Sequence, residues 1–503
     1  MALLCHGAAV MNILILQPPS PPGINVKRDL AGGMGVADPS KRRRFGHDRQ
    51  YITMPYISLV YTAGVLDRDG HQVTFVDGQA ENLDLDQVVD RVKQVLPEVV
   101  IQVFNLPSLY GDLQVAKAIR ERVAGVKLVA VGTVAIPLLD FIAESGAVDA
   151  IIRGDAELVT PSLLQVFQGM EESSSLWERR HGVLVNRRTA HLESLEDLPP
   201  LPYHLIPLEK YWYYPFGRGV PYASVFSSKG CCYRCYYCPY PMGFGDQIVH
   251  RDPVAVVNEI EDLYRTRGIR AFLFRDQVFT ADREKVIRLC DEILRRELKI
   301  RWLVETRLDT VDEDLLRKMK EAGCIRIQVG IESGDPELFD KVGKQGAKGM
   351  LPLFEKNFEL IERVGIAPHM FMLVGLLGET WQSVRRTVEM VRRIKPLTLQ
   401  VSVVTPYPGT GLYEAAKRKG LLCTEDFSQF TGFHPVSRTE QMSPEDLENA
   451  RQMILREHRR ATFWKRQRRL AELTVRYARD GSLWSRLRRR SAIWMDDAFS
   501  LQP

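Results

Sequence analysis

Along this chain, short apolar runs alternate with longer amphipathic stretches in two separate series. The first series predicts strands at 12–16, 72–76, 99–103, 127–131 and 148–152, with helices at 55–69, 85–95, 112–123 and 136–144. Five strands with helices between them make a parallel sheet covered on both faces, and such sheets take ligands at the carboxyl ends of their strands. The loops beginning at Gln17, Asn105, Gly132 and Arg153 therefore face anything bound there. The second series starts at Tyr222 and is more regular, with strands at 223–226, 271–274, 301–305, 324–330, 369–374 and 398–404. Asp252 ahead of Pro253 marks one helix start, and Thr280 with nearby Glu284 marks another. Six strand-helix units predict an incomplete barrel with its chemistry at the carboxyl ends.

Between the two series, closely spaced prolines at 195–219 exclude a helix, and Tyr211, Trp212, Tyr213 and Tyr214 give that stretch an adhesive surface. It reads as a linker packed against something, a pocket wall and interdomain packing being equally good descriptions. The predicted organisation is an extension over 1–10, a doubly wound Rossmann-like domain over 11–165, a linker over 166–219, a partial (β/α)6 barrel of TIM type over 220–425, and a helical arginine-rich region over 426–503.

Composition narrows this α/β reading slightly. With 45% apolar and 26% charged residues the 503-residue chain has ordinary globular composition, and no run approaches the roughly 20 apolar residues of a membrane span. The start lacks the basic residues and cleavage site of a signal peptide, and Met11 is an alternative initiator; a cytoplasmic location with reduced cysteines is expected. The net charge of +5 is small, but 451–490 is strongly arginine-rich. That tail reads first as a helical cap whose arginine stems cover apolar surface, then as a membrane-surface contact; nucleic acid is not expected.

The chemistry is concentrated in "SSKGCCYRCYYCPYP", from Ser227 to Pro241, which places four of the chain's eight cysteines within eight residues. Cys231, Cys235 and Cys238 are spaced C-x3-C-x2-C in the loop after the first strand of the second series. Closely spaced thiolates suit an iron-sulfur cluster, which normally takes four protein ligands. Here there are three, because Cys232 adjoins Cys231 and its side chain diverges. A cubane held by three cysteines leaves one iron open to a ligand. Zinc and buried free thiols are the alternatives, and the spacing disfavours both; Cys290 and Cys324 read as core residues.

With "FRDQVFT" at Phe274, "RWLVETRLD" at Arg301, "QVGIESGD" at Gln328, "FMLVGLLGET" at Phe371 and "VTPYPGTGLYE" at Val404, this cysteine motif resembles the radical S-adenosylmethionine superfamily over Tyr222 to Leu422. The preceding α/β domain resembles the cobalamin-binding domain of one subgroup. The resemblance implies three cofactors: a [4Fe-4S] cluster on Cys231, Cys235 and Cys238, S-adenosylmethionine on its open iron, and cobalamin. It places Tyr237 beside the adenine, Arg275 and Asp276 near the methionine amino group, Arg307 and Glu332 at the carboxylate and ribose, and Gly375 where the backbone approaches adenine. Two departures stand out. The glycine-glycine-glutamate motif usual at the second strand is absent, and so is the D-x-H-x-x-G pattern that supplies cobalt with a histidine; His71 precedes a strand. Cobalamin would then bind without histidine on cobalt, which suits methyl transfer. Ser108, Gly132, Thr133 and Gly154 are the candidates for corrin or nucleotide-tail contacts, since small residues admit a planar ligand.

The resemblance implies a methyltransferase acting on an unactivated carbon of a small-molecule substrate, through a 5'-deoxyadenosyl radical and methylcobalamin, with an external reductant such as flavodoxin or ferredoxin. A ring-forming or ring-modifying radical enzyme of tetrapyrrole or lipid biosynthesis, without methyl transfer, is the second expectation. A non-catalytic cobalamin or iron-sulfur sensor is the third.

Overall fold

The computed structural model describes residues 9–39, 52–170, 175–217, 220–342 and 348–479. Most of the expected 1–10 extension and the tail beyond 479 lie outside these residues.

The first series forms the predicted parallel sheet. Its five strands are Asn12–Gln17, Gln72–Asp77, Val99–Val103, Lys127–Val131 and Ala150–Ile151, arranged second, first, third, fourth, fifth. The strand Val99–Val103 is buried on both faces, as its β-branched residues favour, and its one polar residue, Gln102, donates to Asp112 O (2.7 Å). Helix Leu85–Val95 buries Val88, Val89 and Val92, and it begins at a capping box in which Asp84 accepts from the Gln87 backbone while its own N–H donates to the Gln87 side chain. The helix expected at 55–69 runs only from Ile57 to Arg68, because Tyr56 stays extended and its N–H donates to Gln17 Oε1 (2.7 Å).

Two features lie outside the strand-helix alternation. Within the stretch expected as a linker, strands Trp177–Arg180 and Val183–Asn186 form a hairpin that extends the sheet to seven strands, Val183–Asn186 running parallel to Ala150–Ile151. After the first strand, a second hairpin, Ile24–Lys27 with Val36–Pro39, folds back over the strand ends.

The second series forms a six-stranded parallel sheet in chain order: Ala223–Val225, Ala271–Phe274, Arg301–Thr306, Cys324–Glu332, Ala367–Val374 and Thr398–Val403. In the last two strands burial alternates residue by residue. Met370, Met372 and Val374 pack into the core, and His369, Phe371 and Leu373 face the other way. Asp252 caps its helix as expected, accepting from Ala255 N–H. The Thr280 expectation is corrected. The cap is Asp282, which accepts from Lys285 N–H, while Thr280 lies in a short 3-10 turn and hydrogen-bonds Thr306 and Thr310.

The proline-rich stretch is packing material. Tyr211 and Tyr213 are buried, and the phenols of three linker tyrosines donate across the molecule: Tyr203 to Ser224 O (3.0 Å), Tyr211 to Asp77 Oδ2 (3.0 Å) and Tyr213 to Gln328 Oε1 (3.1 Å). The final helix, Pro444–Arg479, lies against helix Trp381–Ile394 and strand Thr398–Val403. His458 Nε2 donates to Pro396 O (2.7 Å), Lys465 pairs with Glu362 (2.7 Å) and Arg466 donates to Leu397 O (3.3 Å), whereas Trp464 is 79% exposed. Among the described residues no helix is long and apolar enough to cross a membrane.

Candidate functional site

The cysteine loop leaves the strand Ala223–Val225 and is held at both ends. Gly230 has φ +87°, and a Cβ there would fall 1.8 Å from Gln247 O, so only glycine fits immediately before Cys231. Cys231 N–H donates to Gly245 O (3.1 Å), and Cys238 N–H closes the turn onto Cys235 O (3.0 Å). Beside them Lys229 is buried between two carboxylates of the N-terminal unit, Asp155 Oδ1 (2.8 Å) and Glu157 Oε1. Burial pulls the Lys229 pKa down, but the two carboxylates outweigh it and hold the amine above its ordinary range.

Cys231, Cys235 and Cys238 line a cavity of about 350 Å³ at the carboxyl ends of the six-stranded sheet; Cys232 is exposed and outside that wall. Of the residues expected around it, Tyr237, Arg275, Arg307 and Glu332 do face this cavity. Tyr237 is hydrogen-bonded to Glu332, and its phenol is held well above its usual range, by burial first and by that carboxylate second. Glu332 takes φ +70°, a left-handed conformation rare for a residue with a side chain. Arg307 is clamped on Asp309 through Nε (2.9 Å) and Nη2 (2.5 Å), with its guanidinium 3.7 Å over the Tyr233 ring. Its remaining nitrogen, Nη1, is buried without a partner. Arg275 donates from Nε to Asp29 Oδ2 (2.7 Å) and from Nη2 to Asp29 O (3.0 Å), and lies 3.7 Å from Glu305, so it joins the N-terminal unit to the sheet.

The other expected residues do not reach the cavity. Asp276 turns away from it and accepts from the Ser227 and Ser228 hydroxyls (2.6 Å each) and from Ser227 N–H (3.1 Å), bracing the strand that leads to the cysteines. Gly375 donates its N–H to the Glu379 carboxylate and lies against Leu447 and Val404. The four corrin candidates are closed off by protein. Ser108 donates to Asp112 Oδ2 (2.7 Å) and accepts from Arg28 Nη1 (3.2 Å). Thr133 donates to Gly32 O (2.6 Å). A Cβ on Gly132 would lie 2.7 Å from Phe104 O, and one on Gly154 would lie 2.0 Å from Ala190 O. These small residues admit neighbouring backbone rather than a planar ligand.

Sequence reasoning missed Tyr233, Tyr240, Gln277, Gln328, Gln400 and Phe433, which also line the cavity. Gln328 and Gln400 carried a signal: each shares its strand's alternate positions with other polar residues, Arg326 in one strand and Thr398 and Ser402 in the other, which marks the face turned from the core.

This arrangement fits a cluster with one open corner and one drug-sized ligand. Three thiols share a wall, an orphaned guanidinium nitrogen stands in that wall ready for an anion, and the volume lies at the lower end of ordinary ligand pockets. Among the described residues no three His, Cys, Asp or Glu side chains converge tightly enough for a single metal ion. A cubane is larger than an ion and takes its thiolates at separate corners, which requires a wider spread. The four residues expected to contact a corrin are occupied by neighbouring protein.

The sequence profile of the Radical SAM superfamily matches residues 225–391, the span from the first strand of this sheet through most of its fifth helical crossover. An uncharacterized methyltransferase of Pyrococcus horikoshii is 27% identical, the alignment covering 78% of this chain and 85% of that one. The anaerobic magnesium-protoporphyrin IX monomethyl ester cyclase of Rubrivivax gelatinosus is 26% identical over 77% of this chain and 71% of its own length. Among solved structures, the cobalamin-dependent S-adenosylmethionine radical enzyme OxsB, with aqua-cobalamin and S-adenosylmethionine bound, superimposes with a TM-score of 0.71 at 12% identity, covering 93% of this chain and 72% of that one; this likeness is one of fold. With three thiols on the cavity wall and the profile matching the sheet that carries them, residues 225–391 of this chain are a Radical SAM domain.

Proposed function

We propose that this chain is a cobalamin-dependent radical S-adenosylmethionine methyltransferase that acts on an unactivated carbon of a small biosynthetic molecule. The observation that carries the reading is the joint placement of Cys231, Cys235 and Cys238 on one wall of a cavity whose other walls present Arg307 and the Tyr237–Glu332 pair. In this reading the six-stranded sheet is an open (β/α)6 barrel, and the three thiolates hold a [4Fe-4S] cluster. When bound, that cluster supplies the electron that cleaves S-adenosylmethionine. Arg307 Nη1 meets the methionine carboxylate, held in place by Asp309 and Tyr233. Tyr237 and Glu332 flank the nucleoside. Tyr240, Phe371 and Phe433 exclude water from a site where an alkyl radical must survive. Cobalamin enters this reading through the likeness to corrinoid-dependent neighbours rather than through an opening among the described residues.

The similarity to the Rubrivivax cyclase favours a second reading, a radical reaction on a tetrapyrrole without methyl transfer. Anaerobic reconstitution with iron, sulfide and cobalamin, followed by measurement of both S-adenosylmethionine products, separates them. S-adenosylhomocysteine together with 5'-deoxyadenosine is expected from methyl transfer, and 5'-deoxyadenosine alone from the cyclase-type reaction. Neither product from iron-loaded, reduced protein with S-adenosylmethionine present would overturn both.

A further inference from the structure

The strand order second, first, third, fourth, fifth puts the topological switch of the N-terminal sheet between its first and third strands, where sheets of this kind receive a ligand. In this chain that crevice is filled by its own sequence, "RDLAGGMG" from Arg28 to Gly35. The Arg28 side chain is fully buried, and its donors span the two strand-end loops. Nε donates to Pro18 O (3.2 Å) and Nη2 to Pro19 O (3.1 Å) on the first loop; Nη1 donates to Asn105 Oδ1 (2.9 Å) and Ser108 Oγ (3.2 Å) on the third. Nη1 and Nη2 together clasp the Asp112 carboxylate at 3.0 and 2.8 Å.

The residues after it close the remaining space. Asn105 Nδ2 donates to Arg28 O (2.9 Å) and Gly33 O (2.8 Å), and Met34 is buried in the same core cluster as Phe104, Leu106 and Val134. A Cβ on Gly33 would lie 2.5 Å from Tyr56 Oη and 2.6 Å from Thr133 Oγ1, so the loop fits only because that residue is glycine. A nucleotide tail carries a phosphodiester anion. The cation it would meet is already neutralised by Asp112, whose carboxylate would repel it.

We infer that the Arg28–Gly35 segment occupies the crevice in which a corrinoid's nucleotide tail would lodge, and that this chain therefore gains no corrinoid affinity from the tail. The inference rests on the cobalamin part of the proposed function, and its test keeps the two apart. Full-length protein, reconstituted anaerobically with its cluster, is titrated by equilibrium dialysis with hydroxocobalamin and with aquohydroxocobinamide, which has the same corrin and no nucleotide. The two Kd values are expected to agree within about threefold, and a preference for cobalamin of about tenfold or more would overturn the inference. Hydrogen exchange supplies a second reading: amides of 105–112, which do not line the cavity, should be unchanged by saturating cobalamin, and a change confined to them would show the tail entering. Failure of both corrinoids to bind agrees with a shut crevice while removing cobalamin from the proposed function, so one reading can fall without the other.

Discussion

The N-terminal sheet and the six-stranded sheet are built alike, from parallel strands joined by helices, with the carboxyl ends of both turned toward loops that topology marks for ligands. At the N-terminal sheet those ends are sealed: Arg28 bridges the Pro18–Pro19 and Asn105–Ser108 loops, and Asp112 neutralises it. At the six-stranded sheet they open on a cavity holding three thiols and an unpaired guanidinium nitrogen. Topology therefore says where a ligand site can form. The side chains that reach the strand ends decide whether one does.

The largest expected effect falls on the open sheet. Cys235→Ala should reduce iron in reconstituted protein to background, while Cys232→Ala, at an exposed position outside the cavity wall, should leave iron and sulfide unchanged. The reverse result would place the ligands wrongly. Next comes the sealed sheet. Arg28→Met strands a buried Asp112 carboxylate, for which a loss of about 3–5 kcal/mol in urea unfolding is expected, with iron content unaffected; a loss under about 1 kcal/mol would mean that Arg28 does not hold the crevice shut.

A smaller effect depends on pH and belongs to the helix that backs the open sheet. Burial first, then repulsion from Arg466, depresses the His458 pKa to about 4, against the opposing pull of the Pro396 carbonyl. An unfolded histidine titrates near 6.5, so the stabilising contribution is complete above that pH and is lost as pH falls toward 4. Between pH 7 and pH 5 this one residue should remove about 2 kcal/mol of stability, and His458→Gln should flatten that part of the profile. An unchanged acid limb would show that His458 is not the residue responsible.

The strands were legible because a parallel strand buried on both faces reads as a near-continuous apolar run, as Ala271–Phe274 does throughout and Val99–Val103 does except at Gln102. The cysteines were legible because a ligand loop needs its thiolates close together in sequence. The Arg28–Gly35 plug was not, since it is irregular backbone with neither period, stabilised by partners about 70 to 100 residues away. Asp276 was misread for a related reason: sequence places it at a strand end, but only the fold shows its carboxylate turned back to Ser227 and Ser228. The hairpin of Trp177–Asn186 escaped because a sheet-edge hairpin follows no strand-helix alternation.

Lys229 is separated from Cys231 by a single glycine, and its amine is clasped by Asp155 and Glu157 from the opposite half of the molecule. Swinging the two halves apart would tear an ammonium from two carboxylates in a dry interior, so a hinge there is a poor route for traffic. Reactants and spent products should instead pass through local rearrangement of the segment around Phe433 at the cavity rim, while the thiols stay fixed to both halves throughout turnover.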